Sequence, residues 1–181
     1  MGMFGSVEGH SQASYTATKN ALPPFSVFGG ASSVYADYGQ DRQNGYFLGG
    51  AYTHNFSHIY VVPSLELRAS ITPMGDHSVA ERTFQGGFKL EHAYFRRFHP
   101  YGEALFGTGT IRYRAGLQGV GEKSDNSVVP SFGGGIDVDI IKDFGVKADY
   151  MSSHWNTGGS VTYTPNAFNY GVYYRLPFGH R

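Results

Sequence analysis

The chain has 181 residues, of which 40% are hydrophobic, 16% aromatic and 15% charged, with 26 Gly and no Cys. Fourteen acidic residues balance fourteen basic ones, which argues against a broad basic surface for nucleic acid, and the missing cysteines exclude disulfide frameworks, thiolate catalysis and Cys-based zinc sites. No run of about 18 apolar residues is available for a membrane helix, yet the charged fraction lies below the roughly 25% of ordinary soluble domains.

Residues 1–23 are rich in Gly, Ser, Thr, Ala and Asn and end at Pro23-Pro24. They read as a flexible N-terminal arm ahead of a single domain over 24–181. The arm lacks the charged start and apolar stretch of a secretory signal, and Met1-Gly2 with Ser6 matches only a loose myristoylation pattern. From Phe25 onward, eight segments rich in Val, Ile, Tyr, Phe and Gly are separated by turn-forming clusters. They cover approximately 25–38, 45–54, 58–72, 82–93, 100–113, 127–140, 144–153 and 167–176. The connections alternate. Those at His54–Ser57, Phe95–His99 and Ile141–Asp143 are short, whereas those at 39–44, 73–81, 114–126 and 153–166 are mostly longer and polar. Such an alternation predicts an up-and-down meander with variable loops at one rim.

Successive strand side chains point to opposite faces, so each segment divides by parity. The third sets Leu65, Leu67, Ala69 and Ile71 against Ser64, Glu66, Arg68 and Ser70. The fourth sets Phe84, Phe88 and Leu90 against Gln85, Lys89 and Glu91. The fifth is less clean, with Gly102, Ala104 and Phe106 opposing Tyr101, Glu103 and Leu105. In the sixth, Phe132, Ile136, Val138 and Ile140 oppose Ser131, Asp137 and Asp139. In the seventh, Val146, Ala148 and Tyr150 oppose Lys147, Asp149 and Met151; in the eighth, Phe168, Tyr170, Val172, Tyr174 and Leu176 oppose Asn169, Gly171, Tyr173 and Arg175. The first two segments are too rich in Gly and Tyr for their faces to be assigned.

Alternation alone leaves two barrels open. A soluble ligand-binding barrel turns its apolar set inward; an outer-membrane barrel turns it toward lipid and fills its lumen with the polar set. Three features favour the membrane arrangement. The polar faces carry both signs in mid-strand, with Glu66, Glu91, Glu103, Asp137, Asp139 and Asp149 against Arg68, Lys89, Lys147 and Arg175. Those faces are rich in Gly and Ser, which leaves room for long ionic side chains inside a narrow barrel. The apolar faces carry Phe144, Tyr150, Tyr170 and Tyr174 near strand ends, as interfacial girdles require. The 158 residues after the arm allow about 20 for each strand and its connection, enough for the roughly 9–11 tilted residues that span the hydrocarbon. Pro63 and Pro130 each remove a ladder donor and are expected at bulges or strand ends.

The run Phe132-Gly-Gly-Gly-Ile-Asp-Val-Asp-Ile-Ile-Lys-Asp-Phe-Gly-Val-Lys-Ala-Asp-Tyr150 resembles the penultimate hairpin of the outer-membrane β-barrel domain family, the small porin-like and OmpA-like barrels of Gram-negative bacteria. Residues 166–176 are similar to its last strand and Pro100–Gly107 to its fifth. The resemblance implies an all-β fold, a closed eight-stranded antiparallel up-and-down transmembrane β-barrel, with arm and C-terminus periplasmic and four loops outside. Family chains usually finish on an aromatic residue, whereas this one continues past Phe178 to Arg181.

No chemical motif competes with that reading. Gly116–Ser124 departs from a phosphate loop because Glu122 separates Gly121 from Lys123 and no strand-to-helix context follows. His54 and His58 flank a turn without a nearby carboxylate, a poor metal site. Asp76-His77-Ser78 lie adjacent in one loop, which sets up no nucleophile–base–orienter relay. The sequence therefore predicts no catalytic residue, cofactor or metal. It predicts a lumen charge network of Glu66, Arg68, Lys89, Glu91, Glu103, Asp137, Asp139, Lys147, Asp149 and Arg175, paired because buried charge is otherwise costly. The acids exceed the bases by six to four, which predicts bound water, a cation or a protonated carboxyl. Arg112, of opposite parity, is expected at the outer interface. Trp155 and Tyr163 in the 153–166 connection are the expected contact residues for a partner. The expected role is non-enzymatic: envelope structure, adhesion, or an accessory subunit of a surface complex. Its expected partners are outer-membrane lipid and other outer-membrane or surface proteins, met through the loops or the arm. A narrow solute or ion channel is the alternative, ahead of a soluble ligand-binding barrel or a lipid A-modifying enzyme.

Overall fold

The computed structural model describes residues 24–37, 42–54, 61–74, 79–92, 97–113, 123–156 and 162–176. Ten strands follow in chain order: β1 (Phe25–Tyr35), β2 (Gln43–Thr53), β3 (Val61–Thr72), β4 (Val79–His92), β5 (Phe98–Tyr113), β6 (Lys123–Ile141), β7 (Phe144–Ser153), β8 (Trp155–Asn156), β9 (Thr162–Tyr163) and β10 (Asn166–Leu176). Eight of them close a barrel in the order β1, β10, β7, β6, β5, β4, β3, β2, and β8 pairs with β9 as a separate flap. Every barrel ladder is antiparallel. Closure runs from Phe25 opposite Leu176 to Tyr35 opposite Asn166, so the barrel has no free edge strand. The eight long strands overlap the eight expected segments, with β4, β5 and β6 starting at Val79, Phe98 and Lys123 rather than near residues 82, 100 and 127.

Both ends of the barrel sequence lie at one rim, the turn end, with the connections 54–60, 93–97 and 142–143. The opposite rim, the loop end, carries 36–42, 73–78, 114–122 and 154–165. The tightest turn follows an irregularity in the β6–β7 register between Asp139 and Ile141. Pro63 and Pro130 lie at the ends of the β2–β3 and β6–β7 ladders, as their missing donors require, although Pro130 is inside β6 and pairs with Phe106 on its other side. The Pro63 carbonyl accepts from His54 N and the Pro130 carbonyl from His154 N, while the β2–β3 and β6–β7 ladders begin one residue later, at Ser64 and Ser131. Each proline ring nitrogen, on the same strand edge as its carbonyl, therefore lies past the last ladder pair.

Side-chain parity settles which face is inside. Leu48 is 68% exposed and Phe88 63%, whereas Glu66 is 1% and Asp149 2%. The apolar faces of β3 to β7 and β10 point outward and the charged faces inward, the reverse of a soluble barrel. The unassigned strands follow suit: Phe25, Val27, Tyr46, Leu48 and Tyr52 face out, and Phe28, Ser32, Gln43 and Phe47 face in. Outward aromatics lie toward both rims, with Phe25, Tyr52, Phe98 and Tyr174 at the turn end and Tyr35, Tyr46, Tyr150 and Phe168 toward the loop end, and others, such as Phe84, Phe106 and Tyr170, lie in strand interiors. The rings of Phe25 and Tyr52 lie 5.0 Å apart across β1 and β2. Arg112 is exposed on the outer wall near the loop end, as its parity implies. Small inward residues provide space for large ones. A Cβ built on Gly49 would lie 2.3 Å from the Phe28 ring, and one on Gly109 would lie 2.2 Å from the Trp155 ring.

Candidate functional site: the barrel lumen

The ten expected charges all come from inward positions and meet in the lumen. Arg68, from β3, is the hub of the central layer. It lies 2.7 Å from Glu66, 3.0 Å from Glu103 and 3.3 Å from Asp149, and the four side chains are almost wholly buried. Its guanidinium also lies over the rings of Phe28 and Phe47, at 5.5 and 5.7 Å. A planar fork with five donors suits such a site, because it can serve several carboxylates while its faces contact aromatic rings. Asp149 is held further by Asn169 Nδ2 at 2.6 Å and by the Tyr101 hydroxyl at 3.0 Å. Ser32 in turn donates to Asn169 at 2.6 Å.

Toward the turn end, Lys147 and Lys89 carry the chain of contacts onward. Lys147 Nζ donates to the Tyr101 hydroxyl and lies 3.6 Å from Asp149 and 3.7 Å from Asp137. Lys89 Nζ contacts Asp137 at 2.6 Å and Glu91 at 2.8 Å. Lys89 and Lys147 both set their ammonium groups over the Tyr101 ring, at 4.2 and 4.0 Å, which adds a cation–π attraction. His99 then bridges Glu91 at 3.2 Å and Asp139 at 2.8 Å. Asp139 accepts from Arg175 and from the Tyr173 hydroxyl. Contacts thus run unbroken from Glu66 to Arg175 down the barrel, and β1, β3, β4, β5, β6, β7 and β10 all contribute to them.

Above Arg68 the chemistry changes. Gln85 Nε2 donates to the Val129 carbonyl at 2.8 Å and to Ser131 Oγ at 2.6 Å, and Ser131 bonds Ser153 at 2.7 Å. Above that neutral layer Val79, Ile111, Val129 and Trp155 form a buried apolar cluster, with Tyr163 packed against it. A cavity of about 60 Å³ lies at this end, with Arg68, Glu81, Gln85, Asn169 and Trp155 in its lining. A second, of about 10 Å³, lies toward the turn end beside Lys89, Asp137, Lys147 and Arg175.

No protein-family model and no curated protein sequence matches the chain. Solved structures do. The barrel superposes on Ail, the attachment invasion locus protein of Yersinia pestis, with a TM-score of 0.58 at 14% identity, over 84% of this chain and 96% of that one. It superposes on Neisserial surface protein A with a TM-score of 0.61 at 10% identity, over 86% and 99%, and on a de novo designed transmembrane β-barrel with a TM-score of 0.50 at 12% identity, over 86% and 98%. The fold is that of the small eight-stranded outer-membrane β-barrels. A barrel that spans a membrane needs an apolar outer wall and a closed ladder, and this barrel has both.

Within the lumen two further titratable residues join the set read from the sequence. His99 links Glu91 to Asp139, and Glu81 is buried near the loop end. Both share the inward parity of their strands. They escape notice because β4 and β5 begin at Val79 and Phe98, earlier than the turn residues around them suggest. The parity that places Lys89 and Glu91 inside, continued back along the strand, also places Glu81 there.

The structure corrects one placement. Trp155, expected as a contact residue, is 1% exposed. It turns into the barrel mouth because Gly109 leaves a hollow for its ring and Val79, Ile111 and Val129 supply apolar surface. Tyr163 is half-buried against the same cluster. The flap is tied down by Ser127 Oγ donating to the Asn156 carbonyl at 2.7 Å, Ser153 N donating to the Pro165 carbonyl at 2.9 Å and Thr164 N donating to Asp37 at 3.0 Å. The arm, His58, Asp76-His77-Ser78, residues 116–122 and Phe178 lie outside the described residues.

Proposed function

We propose that the protein is a non-enzymatic component of a bacterial outer membrane, a sealed barrel that holds a recognition surface at its loop end. The turn end, where β1 begins and β10 ends, then faces the periplasm, lipid covers the wall, and the loop end meets other surface molecules in envelope maintenance, adhesion or a surface complex. One observation carries the reading: the contacts from Glu66 to Arg175 fill the lumen and leave the cavities above and below small and separate. Charges held by several partners at once do not rearrange cheaply, since freeing one leaves another buried and unpaired. The recognition surface consists of exposed groups around the flap, such as Asn126, His154, Asn156 and Thr162, with Trp155 as the anchor that fixes their positions. Likeness to a protein named for attachment and invasion supports a surface role. Planar-bilayer recording tests the sealed barrel. A flat baseline is the expected result, and discrete conductance steps would replace this reading with a narrow channel.

A further inference from the structure

The loop-end cavity contains polar groups that the charge network leaves unused. Glu81 Oε1 and Trp155 Nε1 are buried without a hydrogen-bond partner, and both residues line the same cavity. Glu81 is 8% exposed, and no cation pairs with it among the described residues. A buried carboxylate without a counter-charge is costly, and a buried indole N–H normally finds an acceptor. Two unmet demands of opposite kind therefore belong to residues that line one cavity. Arg68 forms part of the floor, but Glu66, Glu103 and Asp149 already engage it, so it does not recruit an anion. Ser70, Thr72 and Thr83 supply neutral oxygens to the lining. About 60 Å³ exceeds the roughly 10–15 Å³ that one water requires and suits a molecule of a few heavy atoms.

We propose that this pocket binds a small primary ammonium compound carrying a hydroxyl or carboxyl oxygen. The ammonium group donates to Glu81 and the oxygen accepts from Trp155 Nε1. Because the network closes the floor, the ligand enters and leaves by the loop end, which makes this a binding site and not a passage. The flap that carries Trp155 is also the roof, so occupancy couples directly to the proposed recognition surface.

Trp155 is the chain's single tryptophan, so its fluorescence reports on the site without a label. The full chain, folded in detergent micelles at neutral pH, is titrated with ethanolamine hydrochloride, with sodium chloride at matched ionic strength as the control. A saturable change in emission is expected with ethanolamine alone, and Glu81→Gln is expected to weaken it about tenfold, the loss of one charge-assisted hydrogen bond. Propylamine hydrochloride, which lacks the oxygen, is expected to bind more weakly than ethanolamine. An absent or non-saturable response, an equal response to sodium chloride, or Glu81→Gln titrating like the parent would overturn the site. Equal binding of propylamine would overturn the contact to Trp155. Should Glu81→Gln fail to fold, Glu81→Asp, which keeps the charge but shortens its reach, replaces it, and unchanged binding there would count equally against the proposal.

Discussion

The two halves of the lumen are closed by different physics. From Arg68 to the turn end, closure is electrostatic: seven barrel strands send charged or polar side chains into contacts that share partners. From Gln85 to the loop end it is a neutral hydrogen-bonded layer beneath an apolar cap. The difference lies in what a single change does. Removing one charge strands its neighbours, whereas removing one apolar group from the cap releases the flap and leaves the barrel wall intact.

The largest effect is therefore expected at the hub. Arg68→Met leaves Glu66, Glu103 and Asp149 buried without their shared cation, and a loss of about 3–5 kcal/mol is expected in urea unfolding from lipid vesicles. Leu67→Lys, on the outer wall of the neighbouring position, is expected to cost about 2–4 kcal/mol in the same assay, because a cation at mid-wall meets hydrocarbon. If that substitution proves harmless, the wall does not face lipid. Gly49→Ala tests the aromatic packing inside the electrostatic half, where Phe28 lies against Phe47 and Tyr173. Its Cβ would lie 2.3 Å from the Phe28 ring and 2.5 Å from the Leu67 carbonyl, and overpacking of about 1–3 kcal/mol is expected. The smallest effect on global stability belongs to the cap. Trp155→Ala is expected to abolish amide-exchange protection in β8 and β9 while barrel unfolding shifts by less than about 1 kcal/mol, since the flap opens as its own unit. A cap whose loss unfolds the barrel would erase the distinction between the halves.

Much of this architecture was legible in the sequence because a membrane barrel imposes a strict rule on each strand. Along the middles of β3, β4, β6, β7 and β10 the inward residues are mostly polar and the outward ones mostly apolar, so parity sorts them. β1 and β2 resisted for a physical reason: their inward Phe28 and Phe47 pack against the Arg68 guanidinium, so both faces are partly apolar and the alternation disappears. Leu105, fully buried on the inward face of β5, blurs that strand in the same way. The burial of Trp155 had no local signal, because it depends on Gly109, Val79, Ile111 and Val129 from three other strands. Glu81 and His99 were hidden by strand ends that run into turn-like sequence.

The electrostatic plug is tested most directly by rescue. Unfolding free energies are compared for the parent, for Arg68→Met, and for Arg68→Met combined with Glu103→Gln and Asp149→Asn, which removes two of the stranded charges. If burial of unpaired carboxylates is what Arg68 prevents, the triple variant regains most of the stability lost by the single one. A triple variant no more stable than Arg68→Met would contradict that account, and would assign to Arg68 a role in packing rather than in charge.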